Sequence, residues 1–134
     1  MRREGWPEAL AATVEAARAE SFAWGEHDCC LFVANAVRAT TGRDIAEGLR
    51  GSYRSERGAW RALRRRGWAG LEECFDALLG ERVAPLTARR GDVALFEGGR
   101  GPTVGIVLGS AIAATGPGGM EFVPLGRARV AWRV

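Results

Sequence analysis

The residue pattern of the chain changes near Val83, and this change limits the folds available to it. Before Val83 apolar residues recur at helical spacing, whereas after it short runs with β-branched residues alternate with Gly and Pro. Helices followed by several adjacent strands indicate an α+β fold, with an antiparallel sheet or half-barrel packed on the helices. The 134 residues contain no repeat and no low-complexity linker. We therefore expect a single domain over residues 1–134.

Four helices are predicted before the change. The first begins at Pro7, because proline suits the first turn of a helix. The second is capped by Asp28 and closes near Gly42, and its apolar residues recur at i, i+3, i+4, i+7 and i+8, so we expect it to be the buried helix. Two more helices are predicted over residues 55–66 and 71–79, each followed by a glycine.

Short strands are predicted in the C-terminal part. Each follows a turn signal, and they cover residues 92–96, 103–108, 120–123 and 129–132. Residues 116–119 (GPGG) are predicted to form a hairpin loop. Trp132 is expected in the core, the alternative being an exposed contact for a partner.

Every one of the 19 basic residues is arginine, and the net charge of +3 is modest. The densest cluster lies between Arg61 and Arg66. We interpret it as the solvated face of a helix, because few aromatic residues interleave with it for base stacking. A nucleic-acid contact, with an affinity that falls steeply with salt, is the alternative, and we expect no nucleic-acid partner.

The cysteines and the N-terminus bear on location and on metals. Cys29, Cys30 and Cys74 cannot all pair with one another, which indicates a reducing compartment during synthesis. With a single histidine and no CxxC pattern, we expect no metal site and no cofactor. No run of about eighteen apolar residues occurs, and the N-terminus lacks an apolar signal core, so we expect neither membrane insertion nor an export signal.

Cys29 is the candidate nucleophile. In the first turn of the second helix, free backbone N–H groups and the helix dipole stabilise a thiolate and lower its pKa. A structural cysteine could occupy the same place, since free cysteines are often buried. Hydrolysis by cysteine also needs a base, and His27 is the only imidazole. It would have to fold back over the cap to reach the sulfur; the alternative is a packing or capping role beside Trp24 and Asp28.

Three segments follow one another in a characteristic order: WGEHDC at 24–29, RGDVALF at 90–96 and VGIVLG at 104–109. Together they resemble the NlpC family of papain-like cell-wall cysteine peptidases. In that family an Asp-Cys pair opens the central helix, a Gly-Asp-hydrophobic strand starts the sheet, and a His-Val-Gly-Ile strand supplies the base. The resemblance implies a papain-like fold whose Cys-bearing helix packs on the sheet. It also implies peptidoglycan as the substrate class and hydrolysis of stem-peptide amides as the reaction.

The family's site residues can be carried over by position. Cys29 matches the nucleophile, and Asp28 matches its neighbour at the helix cap. The histidine position falls on Thr103, which cannot act as a base near neutral pH, and the third polar position falls near Ala113. Because two activating groups are absent, we expect a degenerate and inactive site. The alternative is an active cysteine peptidase or amidase in which His27 is a substitute base.

Shortened relatives with a Trp-Gly-x-His-Asp-Cys motif resemble proteins encoded in phage tail modules. The resemblance implies a phage or phage-like tail-tip component that is made in the bacterial cytoplasm and then assembled into the virion. Its partners would be other tail-tip proteins and peptidoglycan, and its role would be assembly or peptidoglycan contact.

Overall fold

A computed structural model describes all 134 residues and contains four α-helices followed by a six-stranded sheet. The helices are α1 (Trp6–Ala19), α2 (Cys29–Thr41), α3 (Glu56–Arg65) and α4 (Leu71–Leu79). The strands are β1 (Arg82–Val83), β2 (Val93–Gly98), β3 (Gly101–Val107), β4 (Ala111–Gly116), β5 (Gly119–Pro124) and β6 (Ala128–Trp132). The predicted α+β class is confirmed. No helix is both long enough and apolar enough to cross a membrane.

The four predicted helices are present, and the caps explain their bounds. Asp28 accepts a hydrogen bond from the backbone N–H of Leu31 at the start of α2, and Gly42 ends that helix in the left-handed conformation, with φ of 83°. The strand prediction is less complete. Strand β1 has only two residues, and β4 is rich in alanine, a residue depleted in strands, so neither has a predicted counterpart.

The sheet has the order β1-β6-β2-β3-β4-β5, and all pairs for which a register is defined are antiparallel. Tight hairpins join β2 to β3, where Gly98 pairs with Gly101, and β4 to β5, where Gly116 pairs with Gly119. The predicted hairpin loop at 116–119 is therefore confirmed. Strand β6 returns to lie between β1 and β2.

Strands β3 and β4 pair over only part of their length. Their ladder consists of Ile106 with Ala113 and Val107 with Ile112, whereas the two flanking hairpins stay paired to their tips. The hairpins therefore part beyond Gly105. A Cβ atom at Gly105 would lie 2.5 Å from the carbonyl oxygen of Ala113, so only glycine permits this close approach at the branch point. We call the opening between the β2–β3 and β4–β5 hairpins the fork.

The main core lies between the helices and one face of the sheet. Buried residues of α2 such as Phe32 and Val33 share a cluster with Leu95, Ile106 and Trp132 of the strands. Trp132 is fully buried, which confirms its predicted core position, and its indole N–H donates to a carboxylate oxygen of Asp76 on α4 at 2.9 Å. A smaller cluster, which includes Phe96 and Ile112, covers the opposite face. The packing fixes α2 against the inner face of β3 and β4.

Asp92, in the RGDVALF segment, joins both chain ends to the sheet. Its buried carboxylate accepts hydrogen bonds from the guanidinium of Arg2 at 3.0 Å, the backbone N–H of Val134 at 3.0 Å and the backbone N–H of Arg89 at 2.8 Å. These three hydrogen bonds satisfy a carboxylate that is fully removed from solvent. The Gly-Asp pair at the start of β2 thus has a structural role.

Candidate functional site

The loop before α2 is fixed by the carboxylate of Asp28, which is 1% exposed. One oxygen accepts the Leu31 N–H at 2.9 Å, and the other accepts the Gly25 N–H at 3.0 Å and the Tyr53 hydroxyl at 2.6 Å. Gly25 has φ of 82°, and a Cβ atom there would overlap the carbonyl oxygen of Tyr53. These contacts hold Cys29, the next residue, at the first position of α2.

Cys29 is placed to ionise more readily than an ordinary cysteine. Its pKa is lowered mainly by a hydrogen bond from the Cys30 thiol and also by a backbone N–H from Val104, although burial and the charge of Asp28 oppose the shift. The same thiol–thiol hydrogen bond raises the pKa of Cys30 well above its usual value. The Val104 contact lies in the fork, where β4 no longer covers β3. Of the vicinal pair, Cys29 is therefore the thiol that loses its proton more readily.

A cavity of about 340 Å³ opens beside Cys29, between the fork and helices α2, α3 and α4. Its walls are mostly apolar and include Leu31, Leu49, Leu63, Leu71, Phe75 and Leu78, with Phe22, Trp24, Tyr53 and Trp60 as aromatic neighbours. All three cysteines line it, and none is in a disulfide. At the rim, Arg100 of the β2–β3 turn lies 3.8 Å from Glu56 of α3. Burial raises the pKa of Cys74 to about 12, so this third thiol stays protonated.

His27 does not line this cavity. Its ring is 2% exposed and lies in a separate depression next to α1 and α2. Nδ1 is 2.5 Å from a carboxylate oxygen of Glu20, without the alignment of a hydrogen bond, and Nε2 is 3.4 Å from the hydroxyl of Thr115. Both ring nitrogens thus face groups other than the Cys29 sulfur.

The other positions carried over from the resemblance lie in different surroundings. Thr103 lines the same cavity as Cys29, but its hydroxyl donates to the carbonyl of Gly101 in its own hairpin at 3.1 Å. Ala113 is fully buried in the core. Two residues further along β4, Thr115 is the residue that lines the cavity with a polar side chain.

Two residues of the site carry no motif in the sequence. Tyr53 is the only tyrosine, and Thr115 is one of several hydroxyl residues in the C-terminal half. Tyr53 reaches Asp28 across 25 residues, and Thr115 reaches His27 across 88. The single tyrosine of the chain is the only sequence signal for the contact with Asp28, and the sequence does not identify its partner.

No group of three or more His, Cys, Asp or Glu side chains is arranged to hold a metal ion. In the arginine cluster, Arg61, Arg64 and Arg65 lie on an exposed face of α3. Arg66 instead donates to the backbone carbonyl of Glu47 at 3.2 Å and lies 5.8 Å above the ring of Trp68. Arg66 therefore contacts the fold, and a nucleic-acid contact would fall to the exposed Arg61, Arg64 and Arg65.

Over residues 1–134 the chain matches the family described as Domain of unknown function (DUF6950). The chain belongs to this family. No curated protein matches it. The DUF6950 match spans the helices, the sheet and every residue that lines the cavity.

The site of this DUF6950 domain combines an ionisable thiol with an apolar cavity. A thiolate at Cys29 can attack an electrophilic carbon without a base, because the proton is already lost. An amine leaving group, in contrast, needs a proton from an acid close to the sulfur. The cavity wall has hydroxyls, two other thiols and the carboxylates of Asp28, Glu56 and Glu121, but no imidazole.

Proposed function

We propose that this DUF6950 domain is a non-hydrolytic tail-tip component of a phage or phage-like particle, built on a papain-like, NlpC-type scaffold. The observation that supports it most directly is the setting of Cys29, in a cavity without an imidazole, while His27 faces Glu20 and Thr115. The role we propose is assembly or contact with peptidoglycan, without cutting it.

The missing imidazole weighs most against hydrolysis. Cleavage of a stem peptide requires the departing amine to be protonated and a water molecule to be activated afterwards, and one positioned base performs both steps in cysteine peptidases. Thr103, at the family's histidine position, has a hydroxyl that neither accepts a proton near neutral pH nor faces Cys29 by hydrogen bonding. A covalent intermediate with a peptide would therefore form slowly and persist.

The tail-tip assignment is supported by the resemblance of the WGEHDC segment and the two strands that follow it. The cavity walls favour one of the two proposed roles, assembly and contact with peptidoglycan, over the other. Mostly apolar walls suit an apolar side chain of a neighbouring subunit better than the polar stem peptide of peptidoglycan. We therefore favour assembly contacts with other tail-tip proteins, followed in the virion by contact with the cell wall.

The proposal is tested by incubating the purified protein with peptidoglycan sacculi and analysing the soluble fraction by mass spectrometry. We expect no stem-peptide fragments. Fragments that appear with the native chain and disappear with Cys29→Ala would overturn the proposal. Pull-down of the protein with sacculi, measured in the same samples, separates contact from cleavage.

A gain-of-function pair tests the scaffold. Thr103→His adds an imidazole to the cavity wall that contains Cys29, whereas Glu97→His adds one to an exposed position outside the cavity. We expect faster alkylation of Cys29 by iodoacetamide near neutral pH for the first variant alone. Equal rates for both variants would count against a peptidase-like arrangement of β3 and α2.

The lowered pKa of Cys29 favours one alternative, an active cysteine peptidase or amidase that uses His27 after a rearrangement of the cap. In that case His27→Ala slows both alkylation of Cys29 and the release of stem peptides. In the arrangement described above, His27→Ala leaves Cys29 alkylation unchanged, provided that the variant is folded.

A further inference from the structure

The cavity beside Cys29 extends well beyond what a reacting carbonyl needs. Its volume of about 340 Å³ is more than twice that of an engineered apolar cavity of about 150 Å³ that encloses benzene, and it lies within the usual range for small-molecule sites. Helices α3 and α4 contribute apolar walls through Trp60, Leu63, Phe75 and Leu78. The space is therefore large enough for a medium-length alkyl chain.

The cysteine at this cavity has a polar setting that favours its anion. The pKa of Cys29 is lowered mainly by its side-chain hydrogen bond with Cys30, and also by the backbone N–H groups of Val104 and Cys30. Donors fixed in an apolar site stabilise negative charge more strongly than they do in water. Cys29 is also partly exposed, unlike the buried Cys74, so a reagent in the cavity can reach it.

The absence of an imidazole from the cavity wall selects among electrophiles, since the lining carboxylates Asp28 and Glu56 are already engaged, Asp28 by three hydrogen bonds and Glu56 beside Arg100. An amide must release an amine, which requires a proton, whereas a thioester releases a thiolate, which does not. In a thiol–thioester exchange the Cys29 sulfur attacks the acyl carbon, a new C–S bond forms, and the C–S bond to the donor breaks. The donor leaves as a thiolate and takes a proton from water, and nothing is oxidised or reduced. The site therefore suits exchange with a thioester.

We propose that Cys29 accepts a medium-chain acyl group from an acyl thioester and that the apolar cavity encloses the alkyl chain. The acyl-cysteine persists, because no imidazole lines the cavity to activate a water molecule for its hydrolysis. This inference does not depend on the tail-tip role, so failure of one leaves the other standing, but an acyl chain and a side chain of a neighbouring subunit would compete for the same cavity.

The test is to incubate the protein with acyl-coenzyme A thioesters of two, four, eight and twelve carbons and to follow the intact mass. We expect the rate of labelling to rise about two- to fourfold per added methylene, the gain that burial of one CH₂ group provides. The adduct should be removed by hydroxylamine and absent from Cys29→Ala. A dodecanoyl thioester of N-acetylcysteamine tests whether the coenzyme is needed, and label from either donor supports the proposal.

A pair of tryptophan variants tests the role of the cavity. Ala59→Trp fills the cavity from α3, whereas Ala12→Trp adds the same side chain to an exposed face of α1. We expect the first to abolish the dependence on chain length while iodoacetamide still alkylates Cys29, and the second to change neither. Equal labelling by the two- and twelve-carbon donors in the native chain, or no labelling from any donor, overturns the proposal.

Discussion

The carboxylate of Asp28 holds the loop before α2, and its removal offers the most direct test of how the site is built. It caps the helix and accepts two further hydrogen bonds, from the Gly25 N–H and the Tyr53 hydroxyl. Loss of a helix cap costs about 1 kcal/mol, and each buried donor left without an acceptor costs about 1 to 3 kcal/mol. Some of this is offset because a charged group no longer has to be buried. We expect Asp28→Ala to lower the free energy of unfolding by about 3 to 4 kcal/mol.

Two milder variants divide this loss into its parts. Asp28→Asn keeps one acceptor oxygen and should cost about 1 to 2 kcal/mol. Tyr53→Phe removes one donor to a charged acceptor and should cost about 1 kcal/mol, because the tyrosine is only partly buried. In the double variant Asp28→Ala/Tyr53→Phe, the Tyr53 hydrogen bond is already absent, so the combined loss should be smaller than the sum.

The assay is urea unfolding followed by circular dichroism, with the slope on denaturant checked for constancy between variants. A loss below about 1 kcal/mol for Asp28→Ala would refute the reasoning, since one cap alone accounts for that amount. Strict additivity of the Asp28 and Tyr53 effects would also refute it, because it would mean that their hydrogen bond contributes nothing to stability.

Three other predictions concern pH, backbone conformation and the thiols. Hydrogen bonds, mainly from its arginine partner on β1, lower the pKa of Asp76 to about 2. The stability that the ionised carboxylate gives the folded protein is therefore complete above the ordinary pKa of 3.8 and is lost as the pH falls towards 2. Over that range the melting temperature of Asp76→Asn should fall less than that of the native protein. Gly25→Ala should prevent stable folding, because the new side chain would overlap a backbone oxygen. Gly5 has a similar φ but open space around it, so Gly5→Ala should lower the free energy of unfolding, measured in urea, by only about 1 kcal/mol. Peptide mapping after iodoacetamide treatment at about pH 8 should show Cys29 alkylated first and Cys74 unmodified until the protein unfolds.

The sequence predicts the parts of the fold that are encoded locally. The bounds of α2 follow from Asp28 and Gly42, which determine the start and end of the helix through their own backbone contacts. Strand β4 escapes prediction because its alanine-rich pattern acquires strand structure only from its neighbours.

The candidate site is less predictable than the fold. The position of Cys29 at the start of a helix can be derived from its neighbours in sequence. The orientation of His27 cannot, because it depends on Thr115, 88 residues away, and on Glu20 of the turn after α1. The cavity is likewise formed by three helices and two hairpins, so no single segment of the sequence contains its signal.

The fork has a mechanical consequence. Beyond Gly105 the β4–β5 hairpin is joined to β3 by no ladder hydrogen bond, and its tip forms one side of the cavity. A rotation of this hairpin about the branch point would widen the cavity while both hairpin ladders stay intact. The energy of such a rotation would then depend on side-chain contacts of the hairpin, such as the stacking of Arg18 on Phe122, and not on backbone hydrogen bonds of the sheet. A large ligand could enter the cavity by this rotation. The β4–β5 hairpin is thus the one part of the cavity wall that could move without breaking a ladder, and it lies across the cavity from Cys29.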